Sequence, residues 1–196
     1  MRRLAIVLGV LALLGAAHWY RQRPIEHASG VLVESEPLQT APSSRIAIRH
    51  GDFELTPLAD YTIEARVLSR HDYTFDGGSQ LAPTDLAVGW KRMSDSAVLD
   101  RLELSQSARY FFWRWKDIPP IPLDEITRSA ANMHMIPADA RVAHELARVR
   151  AGEIVTLRGE LVDARGDHGW RWTSSLRRDD TGAGACELML VDSIGR

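Results

Sequence analysis

The hydrophobic and polar positions of this chain fall into three stretches with different patterns. Residues 4–17 form an unbroken apolar run, residues 24–44 are mostly polar with several prolines and serines, and the rest interleaves short apolar and polar motifs. This order is typical of an export segment followed by a spacer and a folded domain. We therefore predict a signal sequence or transmembrane anchor at 1–23, a linker at 24–44 and one periplasmic α+β domain at 45–196.

The N-terminal segment has the plan of a secretory signal, because Arg2 and Arg3 precede the apolar run and small residues close it. Residues 4–20 would form a helix about 25 Å long, at the short end of what spans a bilayer. Aromatic residues and arginines follow at the level where a membrane interface would lie. A cleaved signal and an uncleaved anchor in the bacterial inner membrane both remain open, and we favour the anchor.

Strict alternation of apolar and polar residues predicts half-buried strands over much of the domain. The alternating stretches are residues 45–70, 109–115, 153–162, 170–172 and 186–191. Apolar residues recur every three to four positions at 138–150, which predicts a helix. A shorter helix is predicted through residues 86–88, with Thr84 or Asp85 as its cap. The fold class is therefore α+β, mostly antiparallel, with a few short helices.

The C-terminal part of this pattern resembles a small barrel of the oligonucleotide/oligosaccharide-binding (OB) type. A helix precedes a strand with a central glycine, Gly159, and hairpins follow. Barrels of this type bind many unrelated ligands, so this resemblance leaves the function open.

Charge argues against one class of partner. Four of the 24 cationic residues lie within the first 23 positions, which leaves 20 against 26 acidic residues and a net charge of about −6 for the remainder. Nucleic-acid-binding domains usually carry a basic stripe, since phosphate neutralisation supplies much of their affinity. We therefore expect no nucleic-acid partner.

Cys186, His134 and Asn132 are the weak catalytic candidates. A thiol, an imidazole to deprotonate it and an amide to orient the ring are the components of a thiol hydrolase, and Ser174 or Ser175 could replace the thiol as nucleophile. No familiar motif surrounds these residues. We favour a structural role for Cys186, because free cysteine behaves as a small hydrophobic residue in cores.

Metal-binding side chains occur close together at His134, Asp139, His144 and Glu145. Their spacing matches neither the His-Glu-x-x-His motif nor a pair of cysteines, and Asp139 is explained by its position at a helix start. We expect neither a metal site nor a cofactor.

The strongest candidate for a ligand or partner surface is Trp170, Trp172, Arg177 and Arg178. The two indoles share one face of a strand, and the arginines follow at its end, where binding residues commonly lie. In the alternative interpretation the indoles belong to the core and the arginines are solvated. A second aromatic strand at 109–115 would add a partner surface if one of its faces is exposed.

These features predict a membrane-tethered binding or accessory module of the bacterial cell envelope, without catalytic activity. Its partner would be an envelope protein or polymer. The alternative is a periplasmic hydrolase that uses Cys186, Ser174 or Ser175 together with His134.

We predict that alkaline phosphatase fused after Arg196 is active in cells, because the basic start and apolar run should carry the domain across the inner membrane. Enzyme activity of the fusion in intact cells measures this. A fusion to a reporter that works only in the cytoplasm is the control, and strong activity from that reporter alone would contradict the predicted location.

Overall fold

The domain is mixed α+β, with mostly antiparallel strands and few helices, which confirms the coarse prediction. The structure is a computed structural model that describes Gly15 and residues 23–196, so the predicted anchor lies outside the described residues. Within this part of the chain, no helix has the length and hydropathy needed to cross a membrane.

The strands are β1 (Leu38–Thr40), β2 (Ile48–His50), β3 (Phe53–Asp72), β4 (Thr84–Gly89), β5 (Glu103–Ser107), β6 (Tyr110–Arg114), β7 (Ala130–Pro137), β8 (Ile154–Arg165), β9 (Arg171–Thr173) and β10 (Glu187–Gly195). The helices are α1 (Ser96–Leu99), α2 (Leu123–Arg128) and α3 (Ala140–Leu146), with 3₁₀ turns at Lys91–Ser94 and Asp167–Gly169.

Five strands form a cycle of pairings, in which the last strand pairs again with the first. β3 pairs with β4, β4 with β7, β7 with β10, β10 with β8, and β8 again with β3. The pair of β7 and β10 is parallel, and the other four pairs are antiparallel. β1 and β2 add to β3, β9 adds to β8, and β5 and β6 form a separate hairpin.

The long strand β3 contributes side chains to two hydrophobic clusters, because a β-bulge near its start changes which face the following side chains occupy. Pro57 pairs with Val162 and Ala59 with Leu161, so one extra residue lies between them on β3. Proline in a strand is tolerated at such bulges, since it lacks the N–H that a regular ladder needs. Leu55, before the bulge, joins an outer cluster, whereas the odd-numbered residues after it enter the main core.

Strand β4 corrects the helix predicted through residues 86–88. All six of its residues are buried, with Leu86 and Val88 in the main core and Asp85 and Ala87 on the opposite face. A strand buried on both faces lacks the alternation that identifies a half-buried strand, so its apolar run looks the same as a short helix.

Helix α3 lies inside the predicted 138–150 but is shorter. Asp139 is the N-cap of this helix, because its carboxylate accepts a hydrogen bond from the Val142 amide at 2.7 Å. Val142 and Leu146 pack into the main core. The helix ends before a turn at Gly152, whose φ of +84° favours glycine.

The segment predicted as a linker runs along the domain surface. The Ile25 amide donates to the Ala151 carbonyl at 2.8 Å, Val33 is buried in the main core, and β1 pairs with β3. The Ser94 hydroxyl accepts hydrogen bonds from two amides of this segment, those of Leu32 and Val33.

We predict that Gly159→Ala lowers the free energy of unfolding by about 2 kcal/mol or more. A Cβ atom at Gly159 would lie 1.9 Å from the Leu190 carbonyl oxygen, so β8 and β10 would have to separate. Urea denaturation of the purified domain measures the loss. Gly195→Ala, whose Cβ would meet nothing closer than 3.5 Å, is the control. Equal stability of the two variants would show that β8 and β10 do not approach this closely.

Candidate functional site

Polar side chains lie on the face of β4 and β7 that points away from the main core. Asp85, Asn132 and His134 are all buried there. Successive side chains of a strand point to opposite faces. Leu86 and Met133 lie in the main core, so Asp85, Asn132 and His134, which are next to them in sequence, lie on the other face. They are covered by the tip of the β5–β6 hairpin, by the loop between β3 and β4, and by β9.

The Asp85 carboxylate is the centre of this polar network. Its Oδ1 accepts hydrogen bonds from His134 Nδ1 at 2.8 Å and from Arg109 Nη1 at 2.7 Å. Since a carboxylate only accepts, Nδ1 carries the proton in the first of these bonds. Among the described residues, the other oxygen, Oδ2, is buried and has no hydrogen-bond partner.

Arg109 joins three parts of the fold through one guanidinium group. Besides Asp85, it donates to the Ala82 carbonyl at 2.8 Å and makes a two-pronged bond to the Asp76 carboxylate at 2.5 and 2.7 Å. Its Cζ lies 3.7 Å from the centroid of the Tyr73 ring and 5.5 Å from that of Trp172. Burial opposes the positive charge, but the two carboxylates outweigh it and raise the pKa of Arg109.

The hairpin tip that carries Arg109 has an unfavourable backbone. Ala108 and Arg109 both lie in the left-handed region, with φ of +49° and +70°, where side-chain-bearing residues are disfavoured. The Arg109 amide donates to the Tyr73 hydroxyl, and its carbonyl accepts from Asn132 Nδ2, both at 2.9 Å. These contacts hold the turn in its conformation.

The structure brings Cys186 next to Asn132 and leaves His134 bonded elsewhere. Cys186 Sγ lies 3.7 Å from Asn132 Nδ2 and 3.7 Å from the Arg109 carbonyl oxygen. Burial raises the pKa of the Cys186 thiol to about 11, so the thiol is protonated at neutral pH. No hydrogen bond within residues 23–196 joins Cys186 to His134, whose Nδ1 is committed to Asp85.

Ser174 and Ser175 hold the loop that follows β9. The Ser174 hydroxyl donates to the Ser175 carbonyl at 2.8 Å and accepts from the Leu188 amide at 3.0 Å. The Ser175 hydroxyl donates to Asp180 at 2.6 Å and accepts from the Arg177 amide at 3.0 Å. Both hydroxyls are buried parts of the loop structure.

Trp170 and Trp172 are half-buried and pack on the outer cluster. Their rings meet edge to face, with centroids 6.1 Å apart. Trp170 contacts Phe53 at 5.2 Å, and Trp172 lies over the His134 ring at 4.4 Å. Trp172 therefore covers part of the polar network, whereas Trp170 packs beside it on Phe53, and both residues are partly exposed.

The two predicted arginines have different environments. The Arg177 side chain is 70% exposed and pairs with Asp179. Arg178 donates to Glu187 at 3.1 Å and to Gln39 at 2.9 Å. Glu187 is buried, and burial raises its pKa to about 8 in spite of Arg178.

The aromatic strand predicted at 109–115 is β6, and it has one exposed face. Trp113 and Trp115 stack at 5.9 Å and pack on a third cluster, at the base of the hairpin. Tyr110 and Phe112 lie on the opposite, exposed face. An open cleft of about 360 Å³ lies near the hairpin base, beside Lys116, away from the Asp85 network.

The described residues contain no group of three or more side chains arranged to hold a metal ion. His144 lies on α3, whereas His134 lies on β7 and bonds to Asp85. The spacing in sequence therefore does not correspond to a shared site in this part of the chain.

Sequence reasoning missed Asp76, Asp85 and Tyr73. The sequence pattern predicts Asp85 only as a possible helix cap and gives Arg109 only as the first residue of the aromatic stretch 109–115. A charged residue inside an apolar run, as Asp85 is, was the available signal, because a buried carboxylate needs a partner.

Comparisons with protein-family models, with curated proteins and with solved structures found no match for this chain. The site must therefore be interpreted from its own geometry.

We predict that Cys186 reacts slowly with a thiol reagent in the folded protein, at least about tenfold more slowly than in urea, because its protonated thiol is a poor nucleophile. The rate of labelling at pH 7.5 measures this. Cys186→Ala should cost only about 1 kcal/mol of stability. Rapid labelling of the folded protein would contradict a structural role and favour the hydrolase alternative.

We predict that the domain becomes less stable between pH 5 and pH 8. Glu187 has a folded pKa of about 8, above its ordinary value of 4.5, so the folded state retains a proton that the unfolded state loses. The stability this group contributes is complete below pH 4.5 and falls by up to about 4 kcal/mol as the pH approaches 8. Urea denaturation across this range measures the slope.

Glu187→Gln should flatten that slope, because glutamine does not titrate. Glu64→Gln, on an exposed position of β3, is the control and should leave the slope unchanged. A slope that is the same in wild type and Glu187→Gln would show that Glu187 is ionised in the folded protein.

Proposed function

We propose that this chain is a membrane-tethered binding or accessory module of the bacterial cell envelope, without catalytic activity. Residues 4–20 anchor it in the inner membrane, the domain lies in the periplasm, and its partner is an envelope protein or polymer. The observation that carries this proposal is the outer face of β4 and β7, where indoles and charged side chains converge.

The strand order supports a barrel of the OB type. The five strands that pair in a ring contain one parallel pair, and α3 lies between β7 and β8 in the chain. In barrels of this type, ligands bind across the outer face of the second and third strands and the loops beside it. Here those strands are β4 and β7. The loop between β3 and β4 carries Asp76, and the connection between β8 and β10, which includes β9, carries Trp172.

The environment of each nucleophile supports a non-catalytic role. The Cys186 thiol has a raised pKa, and both serine hydroxyls are engaged in their own loop. A nucleophile activated by His134 would be hydrogen-bonded to that ring, and within residues 23–196 none of the three is. A binding role needs only shape and complementary groups, which the indoles and Arg177 supply.

One observation favours the hydrolase alternative. A carboxylate bonded to histidine Nδ1, as Asp85 is to His134, orients the ring in the same way as the acid of a catalytic triad. In that alternative Cys186, which immediately precedes the neighbouring strand β10, would approach the ring after the hairpin tip moves.

We predict that Arg177→Ala and Trp172→Phe reduce the amount of envelope partner that co-purifies from detergent-solubilised membranes by about tenfold or more, because tryptophan and arginine often dominate interface energies. Arg177 is mostly exposed, so its removal should change the melting temperature little. Quantitative mass spectrometry of the purified complex measures the loss.

Arg158→Ala is the matched control, since Arg158 is an exposed arginine on β8. Its complex should be recovered at the wild-type level. Undiminished recovery with both test variants would exclude this surface as the binding site, and a stable chain with no partner under any condition would contradict the binding role.

A further inference from the structure

The groups around the Arg109 guanidinium form a cradle for a cation. We define the cradle as Asp76, Asp85, Tyr73 and Trp172. Two carboxylates supply negative charge, and two aromatic rings face the guanidinium at 3.7 and 5.5 Å. Carboxylates combined with aromatic faces are the surroundings in which proteins recognise cationic ligands.

We propose that this cradle is a receptor site for a guanidinium group of the binding partner, and that Arg109 fills it in the unbound protein. Binding would replace Arg109 by an arginine side chain of an envelope protein, as the hairpin tip moves aside. The identity of the partner as a protein rests on the proposed function, whereas the preference of the cradle for guanidinium rests on its geometry.

Guanidinium fits the cradle better than an ammonium group. Asp76 receives two parallel hydrogen bonds, from Nε and Nη2, which only a planar fork can donate. The same plane brings Cζ close to the face of Tyr73. A lysine would lose both the second bond and the stacking.

The cradle has acceptor capacity that Arg109 does not use. Asp85 Oδ2 is buried and has no hydrogen-bond partner among the described residues, although Oδ1 receives two. An unpaired buried carboxylate oxygen is costly, so a ligand that donates to it would gain more than a structural arginine does. This unused oxygen is the feature of the cradle that an incoming donor could satisfy.

The position of Arg109 at the tip of a hairpin allows its side chain to leave the cradle. Its backbone and that of Ala108 are in the left-handed region, so the docked tip stores strain that undocking releases. The hydrogen bonds that hold the tip are polar and replaceable by water. The hydrophobic anchoring of the hairpin lies at its base, where Leu104 and Trp113 pack on the third cluster.

The cradle is also reachable from solvent. The Asp76 side chain is 36% exposed, that of Arg109 is 14% exposed, and that of Asp85 is fully buried. The two carboxylates therefore lie at different depths. An incoming side chain could contact the exposed Asp76 first and then the buried Asp85 as Arg109 moves out.

The test uses N-acetyl-argininamide as the probe and the full domain as the receptor. Arg109→Ala should bind the probe at least about tenfold more tightly than wild type, because the tethered arginine competes at an effective concentration of millimolar or more. Titration calorimetry, with the change in tryptophan fluorescence as a second signal, measures the affinity. N-acetyl-lysinamide should bind at least severalfold more weakly.

Two variants locate the site. Adding Asp85→Asn to Arg109→Ala should abolish the gain in affinity. Arg114→Ala, which removes an exposed arginine from the same hairpin, should bind the probe no better than wild type. Equal binding to wild type and Arg109→Ala, or binding retained in the double variant, would overturn the proposal.

If Arg109→Ala does not fold alone, ethylguanidinium at millimolar concentration should restore its melting transition, whereas sodium chloride at equal ionic strength should not. Failure of that rescue would also overturn the proposal. A negative result here leaves the partner recovery through Trp172 and Arg177 unaffected, so failure of the cradle and failure of the binding role are distinguishable.

Discussion

The buried carboxylate of Asp85 is the constraint on which the arrangement of this domain depends. A charge removed from water must be compensated, and here the compensation comes from a residue 24 positions away in sequence, Arg109. Because Arg109 sits at the tip of a hairpin, satisfying Asp85 also folds that hairpin over β4 and β7. The same guanidinium holds the loop between β3 and β4 through Asp76 and Ala82. One electrostatic requirement thus connects three segments, and Leu81 and Ala82 of the loop add hydrophobic contacts in the outer cluster.

Hydrophobic packing in this domain is divided by the sheet rather than gathered in one core. The main core takes side chains from one face of the strands, and the outer cluster takes them from the opposite face together with Trp170 and Trp172. The bulge in β3 lets one strand contribute to both. As a consequence, β4 is buried on both faces. A polar side chain on its outer face cannot reach water and needs hydrogen-bond partners within the protein.

The sequence predicted the strands that have one polar face and failed where both faces are buried. Alternation located β3, β8 and β10, although the alternating stretch 45–70 also includes the separate strand β2. It misjudged β4 because the period-two signal vanishes when neither face meets water. The candidate site was harder to predict from the sequence than the strands were. Cys186 and Asn132 could be suspected from residue type, but their proximity depends on the parallel pairing of β7 with β10, and the pairing of Asp85 with Arg109 depends on how the hairpin folds back. Neither is a local property of the chain.

Two of the buried carboxylates in the described part of the chain, Asp85 and Glu187, hold their arginine partners with unequal strength. One oxygen of Asp85 receives two donors, one of them a guanidinium that is further held by Asp76. Glu187 receives one side-chain donor, from Arg178, and burial raises its pKa to about 8, so it is largely neutral below that pH. A neutral acceptor forms a weaker bond to arginine than a carboxylate does. The Arg178–Glu187 bond is therefore weaker than the bonds of Arg109, and the loop that carries Arg177 depends more on the hydrogen bonds of Ser174 and Ser175. Breaking the Arg178–Glu187 bond should therefore cost less free energy than separating Arg109 from Asp76 and Asp85, which both remain acceptors for its guanidinium group.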